Sequence, residues 1–459
     1  MCTMNIRNIV AGLAILVLLT FSEKATGQDA PAHAITNVTI HLASGETLSN
    51  SDIVWRDGII VDIGSDLDIP FDVYTIDGGD SLHVFPGLID GLATWGSPEQ
   101  KRNLPTLEDP GNPPYDRAGV QPERKPVHYL NEDKSISAAM KAGFTLVALG
   151  LDGQMLPGQV QPFNLSSEQL TESHLFSTSI GLQGSFDTAP GGWGSGAYPS
   201  TQMGVMAYFR QLMYDAAALQ EHMNYFEKHP DMPQPEHSEV LEALFPLINA
   251  EMPLIFEVDS KEEIERLFRL QDEFGFDAIL VGARNAAPLA ADLKNRNISV
   301  IANLDVNDKP KWMTDAEKES KDSENDKDGE DKAEESDELS EEEITFRAKQ
   351  EAAWNSEIQN IRSLIDSGVS VGFSSAGLSV KDLQSKITLL VDEGVLTTTE
   401  LLKMMTHTNA DILGLSNRVG DLKVGMGAHL ILTTGPLFEK GTKIHTHVSQ
   451  GVINDFMEN

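Results

Sequence analysis

Val84-Phe85-Pro86-Gly87-Leu88-Ile89-Asp90-Gly91-Leu92-Ala93-Thr94-Trp95 is the stretch on which the reading of this chain turns. Its first half, residues 83–89, is a short apolar run of strand length that ends on an acid and a glycine. The chain ahead of it is β-like: residues 34–41 alternate, and residues 53–55 and 59–63 flank Asp57-Gly58, a strong signal for a two-residue hairpin turn. Beyond Trp95 the chain alternates strand and helix. Further apolar strand candidates lie at 144–149, 253–258, 278–282, 298–304 and 369–374. Helical spacing fills residues 261–274, where Ile264, Leu267 and Phe268 share a face, and also 285–296 and 356–367.

Repeated β-then-α units imply a parallel sheet, and eight of them close a barrel. Six strands are placed this way, so two more are expected between Gly150 and Glu251. Residues 428–433 and 442–448 are again strand-like, so the two ends of the chain are expected to build one small β-domain together. The fold expected is therefore α/β, a TIM-type (β/α)8 barrel with a small β-sandwich formed by both chain ends.

At 459 residues the chain can bury a large core. Its formal net charge of −36 repels phosphates and anionic lipid, which argues against a nucleic-acid partner. A third of that excess sits in residues 315–343, where sixteen acids stand against four lysines and apolar residues are nearly absent. Such a segment cannot offset its ordering entropy and is expected to be a disordered insertion. The first 27 residues read as a signal peptide, with a single-pass anchor as the rival reading: Arg7, then an apolar run from 9 to 21, then Ala25 and Gly27. The only cysteine, Cys2, would leave with it, so the mature chain is expected to carry no disulfide, to be free of the membrane, and to be exported to a bacterial periplasm or exterior. The expected organisation is 1–27 signal, 28–84 first part of the sandwich, 85–418 barrel, and 419–459 second part of the sandwich.

Taken with Met404-Met405-Thr406-His407-Thr408-Asn409-Ala410-Asp411-Ile412-Leu413-Gly414-Leu415 and Arg418-Val419-Gly420-Asp421-Leu422-Lys423-Val424-Gly425, the opening stretch resembles the amidohydrolase superfamily, including imidazolonepropionase- and dihydroorotase-like members. Lys141-Ala142-Gly143-Phe144-Thr145-Leu146-Val147 is similar to the family's second strand, and Ser367-Gly368-Val369-Ser370-Val371 to its eighth. The resemblance spans nearly the whole mature chain. It implies histidines and an aspartate at the C-terminal ends of barrel strands, holding zinc or another divalent metal whose bound water attacks an amide or ester.

This sequence departs from that pattern at every ligand position. The family's His-x-His falls on Leu92 and Thr94, and the mid-barrel strand runs Pro253-Leu254-Ile255-Phe256-Glu257-Val258-Asp259. The next strand has no histidine, the eighth ends Ser374-Ser375-Ala376, and the family's Ala-Asp-Leu becomes Ala428-His429-Leu430. No metal ligands are therefore expected, and no cofactor.

The remaining candidates for chemistry are Glu257 and Asp259, which share a strand end and could act as an acid/base pair, with Asp90 beside them. The plainer reading is that Asp259-Ser260 caps the helix starting at Lys261 and that Asp90 holds the first loop. Thr94, Ser374, Ser375 and His128 are expected to line the pocket. His445 and His447 have metal-like spacing but read as a surface pair, and His222, His229 and His237 read as exposed. Two functions fit: a degenerate amidohydrolase that binds or scaffolds, and a working hydrolase of C–N bonds with an unorthodox site. The partners expected are a small molecule in the barrel mouth and either an active relative or further copies of this chain.

Overall fold

The computed structural model describes residues 32–79, 81–98, 104–191, 196–316, 339–375 and 378–456. The expected leader lies outside them, as does 317–338 of the acidic insertion.

Both chain ends contribute to one sheet. β1 (His33–His41), β2 (Thr47–Arg56), β3 (Ile59–Gly64), β4 (Tyr74–Asp77) and β5 (His83–Pro86) come from the start of the chain. β14 (Leu430–Thr433), β15 (Ile444–Ser449) and β16 (Val452–Asp455) come from its end. The order is β16-β15-β14-β5-β1-β2-β3, with β4 also on β1. The Asp57-Gly58 turn has φ of 50° and 73°, the left-handed pair that a tight hairpin needs and that glycine admits without strain. Ile35, Ile53, Trp55, Val84, Leu430 and Val448 pack together as this domain's core.

The strand expected at 83–89 is split. β5 ends at Pro86 in the end sheet, and β6 (Leu88–Ala93) opens the barrel. Gly87 makes the switch: a Cβ there would lie 2.1 Å from the Thr145 hydroxyl, so no larger residue permits the two domains to approach this closely.

The barrel runs in chain order: β6, β7 (Phe144–Leu149), β8 (Gly158–Asn164), β9 (Gly181–Ser185), β10 (Leu254–Val258), β11 (Ala278–Gly282), β12 (Ser299–Asn303) and β13 (Val371–Ser374). The two further strands, β8 and β9, fall between Gly150 and Glu251 as expected. The all-parallel sheet does not hold: β8 runs antiparallel to both neighbours. Only residues 150–157 join it to β7, and a parallel return needs a crossover of about a dozen residues or more. Ile89, Leu146, Val160, Ile255, Ile279 and Ile301 fill the interior, and a larger apolar cluster lies between strands and helices.

The helices obey local rules. Lys261–Phe274 starts from a reciprocal capping box between Ser260 and Glu263 and stops at Gly275 in a left-handed conformation. The helix expected at 356–367 begins earlier, spanning Glu341–Asp366. Its exposed first half is held by charge, with Glu341, Glu342 and Glu343 at the positive end and an Arg347–Glu343 pair at 2.7 Å. Residues 340–343, expected within the disordered insertion, are therefore its cap and first turn.

Candidate functional site

The C-terminal ends of β9 to β12 open on a cavity of about 330 Å³ lined by Ser185, Asp187, Glu257, Asp259, Arg284 and Asn303 among others. Glu257 points into it from β10. Its carboxylate Oε1 accepts a hydrogen bond from Gln183 Nε2 at 2.9 Å, and Gln183 Oε1 in turn accepts from the Leu151 amide at 2.9 Å. The cavity leaves the Glu257 side chain accessible, yet enough protein surrounds it that desolvation raises its pKa. Gln183 opposes that shift, and Asp187, Asp152 and Asp259 add to it.

Asp259 has a different place. The helix cap belongs to Ser260, and the Asp259 carboxylate is largely exposed, 3.8 Å from Arg284. Arg284 also pairs with Asp305 at 3.1 Å. Glu257 and Asp259 thus line one cavity but point to different partners.

Asp90 is fully buried at the other side of the barrel. Its carboxylate accepts from the Ser375 amide at 3.1 Å and from the Leu92 amide at 3.3 Å. Burial pushes its pKa up to about 7 against those donors. Ser374, also fully buried, donates its hydroxyl to the Leu92 carbonyl at 2.6 Å. Asp90, Ser374 and Ser375 therefore tie β6 to the end of β13, the seam where the barrel closes. Leu92 itself packs in the barrel's apolar interior, and Thr94 is half-buried at the end of β6.

His128 is exposed and lines neither mouth cavity. Its neighbours Arg124 and Tyr129 line a second cavity on the same face, of about 350 Å³. His222, His229 and His237 are exposed, as expected. The surface reading of His447 is corrected: it is fully buried, and its Nε2 meets the Phe144 carbonyl at 2.8 Å, joining the end sheet to the barrel. His429 is buried beside it, edge-on to Phe176.

Do these residues fit the divalent metal that the sequence resemblance implies? Among the described residues, no three His, Cys, Asp or Glu side chains converge as ligands. The positions of the expected imidazoles hold a core leucine and a neutral threonine, and the eighth-strand serines are engaged in the seam. The donor set does not fit the metal.

Gln183, Asp187 and Arg284 carry no signal in the sequence as mouth residues. Gln183 sits on a strand with weak periodicity, and the other two lie just beyond strand ends, where only the closed barrel brings them together.

Residues 321–456 match the model of the amidohydrolase family. The structure is similar to that of an amidohydrolase from Thermotoga maritima MSB8, with a TM-score of 0.71 at 18% identity over 92% of this chain and 99% of that one. It is also similar to a prolidase complexed with N-methylphosphonate-L-proline (TM-score 0.51, 14% identity, 92% and 99% covered). A putative prolidase from Bifidobacterium longum gives a TM-score of 0.50 at 14% identity, covering 93% and 95%. No curated protein matches the sequence.

Proposed function

We propose that this chain is a catalytically degenerate member of the amidohydrolase superfamily whose barrel serves binding or scaffolding. One observation carries the reading. The residues standing where the family holds its metal have been absorbed into the fold: Leu92 into the apolar interior, the Ser374 hydroxyl into a hydrogen bond with β6, and Ser375 into the same seam through its backbone amide. A side chain committed to packing or to a buried hydrogen bond is not available as a ligand without unfolding the seam. The reading extends to an exported protein without a cofactor, taking a small molecule at the barrel mouth and pairing with an active relative or with itself.

Glu257 supports a second reading, a hydrolase of C–N bonds with an atypical site. It is a positioned carboxyl group in an open cavity, with its pKa raised towards the range useful for proton transfer.

Metal analysis of protein purified without chelator, together with a screen of amides, dipeptides and lactams, separates the two. The degenerate reading expects less than about a tenth of an equivalent of zinc or manganese and no turnover above blank. Turnover abolished by Glu257→Gln overturns it in favour of the second reading, and stoichiometric metal overturns both.

A further inference from the structure

The second mouth cavity differs from the first in the signs of its charge. Its walls include residues 104–129, a stretch after β6 that holds Pro105, Pro110, Pro113, Pro114 and Pro122, and the turn joining β7 to β8. Residues 119–124 of that stretch are pinned: the Gln121 amide donates to the Leu156 carbonyl at 2.7 Å, the Leu156 amide to the Gly119 carbonyl at 3.0 Å, and the Gln159 amide to the Arg124 carbonyl at 2.8 Å. The Gln159 side chain adds a bond to the Pro122 carbonyl at 3.2 Å. This part of the wall is thus fixed by backbone contacts.

Arginines are scarce here, since the whole chain holds 34 Lys and Arg against 70 acids, yet two of them line this one space. Arg117 donates from Nη2 to the Pro105 carbonyl at 2.8 Å and leaves its buried Nε without a partner. Arg124 lies 4.5 Å over the Tyr129 ring and donates from Nη1 to Gln121 at 3.3 Å. Among the described residues neither guanidinium forms an ion pair, and Arg124 feels the neighbouring Glu123 only through space. Asp116 and Asp152 line the same cavity and are likewise outside any ion pair among the described residues. Arginine's planar fork suits a carboxylate.

We infer that this cavity binds a small zwitterion of amino-acid or dipeptide size, its carboxylate on Arg117 and Arg124 and its ammonium on Asp152. The volume of about 350 Å³ is at the small end of ligand pockets, as such a molecule requires. Asp152 also acts through space on Glu257, so the ammonium end faces the acidic cavity. A phosphate dianion would meet the two aspartates with the wrong sign. The inference deepens the binding reading above and rests on it, since it names the ligand class for the barrel mouth.

Isothermal titration of the full chain with L-alanyl-L-alanine tests it, alongside the N-acetylated dipeptide, the dipeptide amide and inorganic phosphate. Binding of the free dipeptide is expected, weakened about tenfold or more by blocking either end. Arg117→Gln and Arg124→Gln should each weaken it similarly with unchanged melting temperature. Asp152→Asn should weaken the free dipeptide while sparing the acetylated one. Should Arg117→Gln fail to fold, Arg117→Lys keeps the charge without the planar fork and is expected to lose affinity too. No binding, equal binding of the blocked analogues, or full affinity in Arg124→Gln overturns the inference. Release of free alanine with binding intact overturns the degenerate reading and leaves the pocket standing, whereas absent binding does the reverse.

Discussion

The Asn409 side-chain amide donates to the carbonyl of Ile89, 2.7 Å away and 320 residues earlier in the chain. The same amide donates to the Phe373 carbonyl at 2.8 Å, and Asn409 Oδ1 accepts from the Phe373 amide at 2.9 Å. One side chain thereby bridges β6 and β13, the first and last strands of the barrel. Gly372 admits it, since a Cβ there would lie 2.1 Å from Asn409 Oδ1.

Asn409→Ala leaves two carbonyls and an amide of the buried seam without their partner. Each buried group left unsatisfied costs about 1–3 kcal/mol, so a loss of about 3 kcal/mol or more is expected in urea unfolding. Gly372→Ala should be costly for the same reason, because it displaces the amide. In a double-mutant cycle the two losses should be markedly less than additive, and full additivity would show that Gly372 acts elsewhere.

Asp90 makes the seam sensitive to pH. Its folded pKa of about 7 lies above the ordinary 3.8, so the folded state holds a proton that the unfolded chain releases. Its contribution is fully present below pH 4 and is lost as pH rises to about 7, at up to about 1.4 kcal/mol per pH unit. Asp90→Asn keeps an acceptor for the Ser375 and Leu92 amides and cannot ionise. Its stability relative to the parent should therefore grow between pH 4 and 7 and stay level above, as read by thermal unfolding across that range. Parallel curves would remove Asp90 as the titrating group.

His429 and His447 act in the opposite sense. Burial lowers their folded pKa values to about 3 and about 4, with His447 and Arg418 adding to the effect on His429. Stability is complete above about pH 6.5 and falls as pH drops towards those values, because the unfolded chain takes up protons first. His429→Phe, filling a site already edge-on to Phe176, should flatten the decline between pH 6.5 and 4. An unchanged slope would place the acid sensitivity elsewhere.

The sequence by itself determined the elements whose signal is local. The Asp57-Gly58 hairpin, the helix Lys261–Phe274 with its Ser260 cap, and the strands at 144–149 and 278–282 arise from turn chemistry, capping and periodicity, which act over a few residues. That Leu92 and Thr94 carry no imidazole was equally legible, since it is a matter of residue identity. β8 was not: Gln159, Gln161 and Pro162 give a weak strand signal, and the two glutamines are buried with hydrogen bonds to residues 122 and 127 of the preceding loop. Nor could spacing show that Asp90, Ser374 and Ser375 meet at a seam, that Asn409 closes it, or that His447 is buried against Phe144. Those relations join residues some 280 to 320 positions apart, and they exist only once the barrel has closed and the end sheet has docked against it. Burial, and with it the shifted pKa values of Asp90, His429 and His447, is a property of that closure and not of any residue's neighbours in the chain.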